Sequence, residues 1–378
     1  MGRLTWHAIT IGRLFGIRLD VNLSWFVIFG LLAWTLGGVY FPQSHPRWPA
    51  VLAWGVGLVA SVLFFGCVVL HELAHSLVAL KARLPVRSIT LFVFGGVSRI
   101  GREPASPGAE LKIALAGPGA SLLLGLTFGA IWLAARGLDR PVREPVQALA
   151  LWLAAVNTTL ALFNLLPGFP LDGGRVLRAL IWSASEDSHW ASRVAARAGQ
   201  AIALALVAAG LGLALRAERF GVNGMWLVLI GWFLFAAASG SYRIAALRET
   251  LRNLRVVDVM RADVDAVSSS VTLQDLESAT SGRPLFAVYE GDQLVGTLSS
   301  AELRRVPRSR WPTVTAGETA AGLAHTSSLD PDQAAGSALE EMLAGDHPAL
   351  PVVDADGSLL GLVMRDDLLQ AASRRGRR

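Results

Sequence analysis

The chain has 378 residues, of which 53% are hydrophobic and 17% charged, and its net charge is +5. Soluble proteins carry about 25% charged residues, so this composition excludes an ordinary soluble protein and predicts one that crosses a membrane several times. The scattered Arg residues are not interleaved with aromatic ones, so the positive charge indicates membrane orientation and lipid contact, and no direct nucleic-acid partner is expected.

The first twenty residues mix Arg3, Arg13 and Arg18 with apolar side chains, which is typical of an amphipathic segment at the membrane interface. The apolar run that follows lacks a small-residue cleavage site, so we expect it to remain as an anchor. Hydropathy predicts six spans, at about 21–41, 51–82, 110–135, 146–167, 195–215 and 222–242. Most Lys and Arg near the span ends fall on the side of the two termini, which predicts a multi-pass cell-membrane protein with both termini in the cytoplasm.

The second span ends in the sequence His71-Glu72-Leu73-Ala74-His75, which reads HExxH. Residues i and i+4 lie on one helix face, so His71 and His75 can bind one metal ion together. Glu72 is placed to act as general base towards a water molecule that the metal activates. Residues 51–70 supply about 30 Å of helix before His71, which places the motif near the cytoplasmic end of the hydrocarbon core.

Two further features lie between the second and third spans and within the third span. Residues 88–100 contain two β-prone runs around Gly95-Gly96, a pattern that predicts a β-hairpin. Two interpretations stay open for it: a simple surface hairpin, or a strand edge that pairs with an extended substrate. In the third span, the small residues 117–121 allow close helix packing, and Pro118 predicts an irregular helix start.

The fourth span ends in a segment, 164–175, in which two prolines and three glycines break the helix. We expect Asp172 to lie there on unwound backbone, at the same depth as His71. Two histidines and one carboxylate would leave a fourth zinc position open. The alternative is that Asp172 only caps the next helix, and the matching depth favours the ligand.

Together these motifs resemble the site-2 protease family of intramembrane zinc metalloproteases over about residues 1–245. The resemblance rests on HELAH at 71–75, on Asn164 to Pro167 and on Leu171-Asp172-Gly173-Gly174. It implies one Zn²⁺ per chain held by His71, His75 and Asp172, with Glu72 as the base. It implies that Asn164 contacts substrate, although a polar helix-packing contact is an equal alternative. It also implies that Gly95 and Gly96 lie in a membrane-associated hairpin near the site.

The composition changes after about residue 250, where apolar runs shorten and acidic and turn residues appear. We divide the chain into a membrane domain (1–245), a linker (246–254) and a soluble α/β domain (255–374). The last repeats a strand, hairpin, strand and helix in two halves, 255–310 and 311–374.

The two halves resemble a tandem pair of CBS modules, which bind adenine nucleotides in other proteins. Nucleotide-binding modules have Thr or Ser followed three residues later by Asp. The first half has Ser299 but then Glu302, and the second has Asp367 but Met364 before it. The resemblance implies Ser299 and Asp367 as candidate nucleotide contacts, with packing or homodimerisation as the alternative role.

The predicted fold is therefore a polytopic α-helical membrane protein with about six transmembrane helices and a membrane-associated β-hairpin, followed by a cytoplasmic tandem CBS domain. The predicted function is cleavage of membrane-anchored proteins within or next to their transmembrane segments, and the family suggests transcription regulators such as anti-sigma factors as substrates. Two alternatives are a transporter regulated by the CBS pair and an inactive zinc-binding scaffold. Polar residues cluster at one membrane face, which disfavours the transporter, and an intact Glu72 disfavours the scaffold.

Overall fold

A computed structural model describes the chain over thirteen stretches: 8–92, 95–100, 103–216, 222–251, 254–262, 264–279, 285–291, 293–303, 306–322, 328–345, 349–354, 356 and 358–375. Its contacts divide the chain into two compact units, Met1–Tyr242 and Arg243–Arg378.

The first unit consists of helices and one small sheet. Its helices are α1 (Leu23–Thr35), α2 (Phe41–Ser44), α3 (Ala50–Lys81), α4 (Pro107–Ala134), α5 (Arg140–Asn164), α6 (Asp172–Ser185), α7 (Ser188–Arg216) and the first part of α8 (Val222–Leu251). The residues of α8 from Arg243 onwards belong to the second unit. Its strands are β1 (Ala8–Leu14), β2 (Ile17–Asn22), β3 (Val86–Phe92) and β4 (Gly95–Ile100). A π-helical turn, Leu36–Tyr40, joins α1 to α2.

Within the residues that the structure describes, six helical segments are long and apolar enough to cross a membrane, which confirms the predicted number of spans. They are Leu23–Ser44, Ala50–Lys81, Pro107–Gly137, Arg140–Asn164, Ser188–Leu215 and Gly224–Leu251. The last two helices extend beyond the predicted spans because their ends carry polar residues that hydropathy excludes. As a result, α8 continues to Leu251, through the first part of the segment that the sequence assigned to a linker.

The four strands form one sheet in the order β1-β2-β3-β4, which corrects one prediction. Residues 8–22 form a β-ribbon in which β2 also pairs in parallel with β3. Gly95 and Gly96 belong to β4 and pair with Phe92 and Leu91 instead of forming the turn. The turn itself, 93–94, lies outside the described residues.

Small residues bring the membrane helices close together. A Cβ added to Gly57 of α3 would lie 2.6 Å from the backbone nitrogen of Gly37. One added to Gly125 of α4 would lie 2.7 Å from the hydroxyl of Thr158 in α5. Such contacts leave no space for a methyl group, so Gly57 fixes the packing of α3 against the π-helical turn and Gly125 fixes the packing of α4 against α5.

The second unit contains the two predicted repeats, and the structure confirms their strands. The first half holds β5 (Ala266–Ser268), α9 (Leu273–Ala279), β6 (Leu285–Glu290), β7 (Gln293–Ser299), α10 (Ser300–Leu303), α11 (Ala316–Thr319) and β8 (Ala321–Gly322). The second half holds α12 (Ala335–Gly345), β9 (Ala349–Val353), β10 (Leu359–Met364) and α13 (Arg365–Arg375).

Each half has its own hydrophobic core, but the halves are not divided at the residues we predicted. Leu251 and Val256 are fully buried in the core of the second half, together with Leu350 and Leu368. Arg261 also pairs with Leu362 of β10 through backbone hydrogen bonds. The stretch that leads out of α8 therefore completes the second half, although it precedes the first half in the chain.

Candidate metal centre

Helix α3 presents two neighbouring polar stripes near its C-terminal end. His71 and His75 form one stripe, and Glu72 and Ser76 form the other, because residues four apart lie on one face of a helix. The histidines are 5% and 4% exposed. The first stripe faces α4 and the start of α6, while the second contacts β4. A single helix thus carries both parts of the predicted site.

Three atoms that could bind a metal ion converge between α3 and α6: His71 Nε2, His75 Nε2 and Asp172 Oδ2. Each pair among them is 3.2 Å apart. Ligand atoms of a tetrahedral zinc site with bonds of about 2.0–2.1 Å are themselves separated by about 3.3 Å. The triangle therefore has the size of one face of a zinc tetrahedron.

The other ring nitrogen of each histidine has a partner outside the triangle. His75 Nδ1 lies 2.7 Å from the backbone oxygen of Ile113, which can only accept, so a neutral His75 carries its proton on Nδ1. His71 Nδ1 lies 2.9 Å from the hydroxyl of Ser121. The Nε2 of His75 is then an acceptor that faces a carboxylate oxygen. A cation bound between them resolves this repulsion, so these residues fit a metal ion.

Gly117 of α4 lies beside the two histidines, where the absence of a side chain leaves space. A Cβ built on Gly117 would lie 2.6 Å from His71 Nε2 and still closer to His75 Nε2. Pro118 follows inside the continuous helix α4, so the predicted helix start at this proline is wrong. Proline is tolerated in membrane helices where side chains satisfy the freed backbone groups.

Asp172 reaches the histidines from the first turn of α6, and the unwound segment precedes it instead of containing it. Leu171 is the N-cap residue and has no side-chain capping bond, so Asp172 does not cap the helix. A Cβ on Gly173 or Gly174 would clash with the backbone of residues 165–169. These two glycines let the first turn of α6 lie directly on the segment that leaves α5.

A buried ion network joins α6 to α4 beside the candidate metal ligands. Arg178 donates to Glu110 at 2.9 Å and to Glu103 at 2.7 Å. Glu110 is fully buried and Arg178 is 7% exposed. Burial lowers the pKa of Arg178, but the charges and hydrogen bonds of Glu103 and Glu110 outweigh it and raise the pKa above its ordinary value. The network holds the helix that carries Asp172 against the helix that carries Gly117.

Glu72 lies against the first residues of β4. The Ser98 hydroxyl donates to Glu72 Oε2 at 2.8 Å. A Cβ on Gly96 would lie 2.5 Å from Glu72 Cγ, so the side chain of Glu72 rests on the bare backbone of that strand. The hairpin is therefore in direct contact with the residue that the sequence identified as a base.

The remaining predicted residues have other contacts. Asn164 is the last residue of α5, and its amide donates to the backbone oxygen of Leu160 at 3.0 Å. In the second unit, Asp367 accepts from Arg261 with both carboxylate oxygens, at 2.6–2.9 Å, and this bond raises the pKa of Arg261. Ser299 ends β7, and Ser299 and Asp367 lie in different halves.

Sequence reasoning missed four groups that shape this site: Gly117, Ser121, the Ile113 carbonyl and Ser98. Two of them, Gly117 and Ser121, lie in a segment that we interpreted only as a small-residue packing motif. The sequence did contain one indication: Gly117 and Ser121 are four residues apart, so they lie on one face of a helix. The carbonyl of Ile113 leaves no signal in a sequence.

Comparison with known proteins gives two family matches. The model of peptidase family M50 matches residues 59–139 and 139–206. The CBS domain model matches residues 327–374.

Two relatives bear names that begin "Putative zinc metalloprotease". Rip3 of Mycobacterium tuberculosis is 36% identical over 365 residues, covering 96% of this chain and 92% of the relative. The protein sll0528 of Synechocystis is 35% identical over 322 residues, covering 83% and 82%. A solved structure, the site-2 protease from Methanocaldococcus jannaschii, is 26% identical and covers 63% of this chain and 96% of that one, with a TM-score of 0.44.

Proposed function

The chain belongs to peptidase family M50, the zinc metalloproteases of the site-2 protease type, and we propose that it cleaves membrane-anchored proteins within or next to their transmembrane segments. The observation that carries the proposal is the triangle of His71, His75 and Asp172 beside Glu72. Family membership also excludes the transporter that the sequence left as an alternative.

In this proposal, His71, His75 and Asp172 hold one Zn²⁺, which would polarise the scissile carbonyl and a water molecule. Ile113 and Ser121 fix the orientation of the two imidazoles, so that both Nε2 atoms face the same point. Asp172 supplies the negative charge, at the N-terminus of α6, where the helix dipole favours a carboxylate.

Glu72 acts as the general base. Its carboxylate takes a proton from the attacking water at Oε1 or Oε2 and later delivers that proton to the leaving amine. The chemistry requires Glu72 to be held still beside the ligand triangle, and its contacts with Gly96 and Ser98 support this role. A glutamine at this position would keep the shape of the side chain and lose the base.

The substrate is an extended stretch of peptide. A helix hides its backbone carbonyls, so a transmembrane substrate must unwind before hydrolysis. Among the described strands, β4 pairs only with β3, so its outer edge can accept an added strand. Gly95 and Gly96 at the start of β4 would let substrate backbone approach closely. Asn164 at the end of α5 is a second candidate substrate contact.

Both termini face the cytoplasm in this proposal, and the site lies near the cytoplasmic side. The distribution of Lys and Arg around the spans supports it. His71 lies in the C-terminal half of α3, and Asp172 follows the C-terminal end of α5. Two helices that cross in the same direction bring these residues to one depth.

The substrates are single-span membrane proteins, with anchored transcription regulators such as anti-sigma factors first among them. The test is cleavage of a panel of such proteins by wild type and Glu72→Gln, with and without a chelator, while bound zinc is measured in parallel. We expect cleavage by zinc-loaded wild type alone, and full zinc in Glu72→Gln. Cleavage by the variant at the wild-type rate would refute the assignment of the base.

The CBS unit regulates the protease in this proposal, through an adenine nucleotide or a homodimer. Asp367 is the candidate ribose contact, but Arg261 occupies both of its oxygens. A nucleotide that uses Asp367 must first open this ion pair. Titration of ATP and AMP onto wild type and Arg261→Ala tests this: tighter binding to the variant is expected, and equal absence of binding leaves the homodimer as the regulatory role.

A further inference from the structure

We propose that Ser98 is the positioning residue of the general base, Glu72. Strand β4 thereby determines the positions of both the substrate and the Glu72 carboxylate. This inference rests on the proposed function. It concerns a residue that the HExxH motif does not contain, on an element far from that motif in the chain.

The geometry begins with the second stripe of α3. Glu72 and Ser76 both face β4, and Ser98 lies between them. Ser76 donates its hydroxyl hydrogen to Ser98 Oγ at 3.1 Å. Ser98 has a single hydroxyl hydrogen, and Glu72 Oε2 at 2.8 Å is nearer than the Glu72 backbone oxygen at 3.2 Å. The Ser98 hydrogen therefore goes to the carboxylate, the stronger acceptor.

Two residues of the same strand hold Glu72 at two points. Gly96 supports Cγ, and Ser98 holds the carboxylate. A glutamate side chain loses considerable rotamer freedom when it is fixed in this way, and here the strand provides that order before substrate arrives. Only Oε2 is engaged by Ser98, so Oε1 remains for the proton of the attacking water.

As a consequence, one element, strand β4, determines the distance between the base and the substrate. An extended peptide added to the outer edge of β4 is aligned in register with Gly96 and Ser98. The same two residues place Glu72, so substrate register and base position cannot change independently. We expect loss of the Ser98 hydroxyl to affect turnover more than substrate binding.

The test compares Ser98→Ala with Ser98→Thr in full-length, zinc-loaded protein. A charge-assisted hydrogen bond is lost in the alanine variant, so kcat should fall about tenfold, with KM and zinc per chain unchanged. Threonine keeps the hydroxyl, and its branched side chain suits a strand, so it should restore kcat to within about threefold. Combined with Glu72→Gln, Ser98→Ala should cause no further loss.

A second readout does not depend on cleavage. The infrared spectrum of wild type minus that of Glu72→Gln isolates the carboxylate band of Glu72, and the same subtraction is made in the Ser98→Ala background. We expect the band to shift in Ser98→Ala and to return in Ser98→Thr. An unshifted band, or equal loss of kcat in the alanine and threonine variants, would overturn the proposal. A shifted band in a protein that cleaves nothing would support the contact and count against the proposed function alone.

Discussion

The substitution Gly117→Ala should strongly weaken zinc binding, although it adds only one methyl group and removes no proposed ligand. The built Cβ lies 2.6 Å from His71 Nε2 and closer to His75 Nε2. Zinc binds imidazole nitrogen at about 2.0–2.1 Å, so the methyl carbon and the ion would compete for the same atoms. The backbone of α4 cannot retreat freely, because Gly125 also packs without clearance against Thr158.

The expected loss of zinc affinity follows from the contribution of one ligand to that affinity. Changes to outer-shell partners alone lower metal affinity about 10–100-fold. Displacement of a coordinating imidazole exceeds this, so we expect more than a 100-fold loss, or about 3 kcal/mol or more. After dialysis against a weak chelator, the variant should retain less than about a tenth of the zinc that wild type holds.

Gly119→Ala is the matched control, two residues further along the same helix. A Cβ there meets nothing within 4 Å, and alanine favours a helix over glycine by up to about 1 kcal/mol. This variant should keep its zinc and its activity. Zinc per chain is measured by elemental analysis, and helix content by circular dichroism. Equal zinc content in the two variants, with equal helix content, would refute the argument that a side chain at position 117 excludes the metal ion.

Four further substitutions separate the parts of the site. Ser121→Ala removes the partner of His71 Nδ1 and should lower zinc affinity about 10–100-fold, measured by competition with a chelator of known affinity. Asp172→Ala should lose zinc on dialysis, and full occupancy would argue against this ligand. Arg178→Met removes the hydrogen-bonded partner of the buried Glu110 and leaves it only the ion pair with Arg175 at 3.8 Å, so it should destabilise the membrane unit by up to about 3–5 kcal/mol in detergent. Adding Glu110→Gln should restore part of that loss, whereas a further decrease would contradict the pairing.

The convergence of the three proposed ligands could be predicted from the sequence because local rules place them. HExxH puts His71 and His75 on one face whatever surrounds the helix. Asp172 required a second rule, that spans two and four cross in the same direction, and the structure brings it to both histidines. The prediction of unwound backbone at Asp172 was wrong, because Gly173 and Gly174 start a helix that packs on the broken segment.

The sheet could be predicted only in part, since its pairing is not local. The β3–β4 hairpin connects neighbours in the chain, and turn residues indicated it. Strand β2 pairs in parallel with β3 across the whole of α1 and α3, and no periodicity in residues 8–22 points to that partner. Buried contacts of Ile17 with Leu73 and Ile89 hold the ribbon in place. Such contacts are properties of the folded chain.

Helix α4 contributes no ligand, and yet most of the site's geometry depends on it. Its glycine makes room, its serine and a backbone carbonyl orient the imidazoles, and Glu110 holds the helix that carries the third ligand. A motif search finds residues with chemistry of their own, such as His, Glu and Asp. It does not find an absent side chain or a backbone oxygen. For this reason, substitutions in α4 test the structure better than substitutions of the proposed ligands. If α4 were shifted by one residue, the sequence would still contain every proposed ligand, but the triangle would not form.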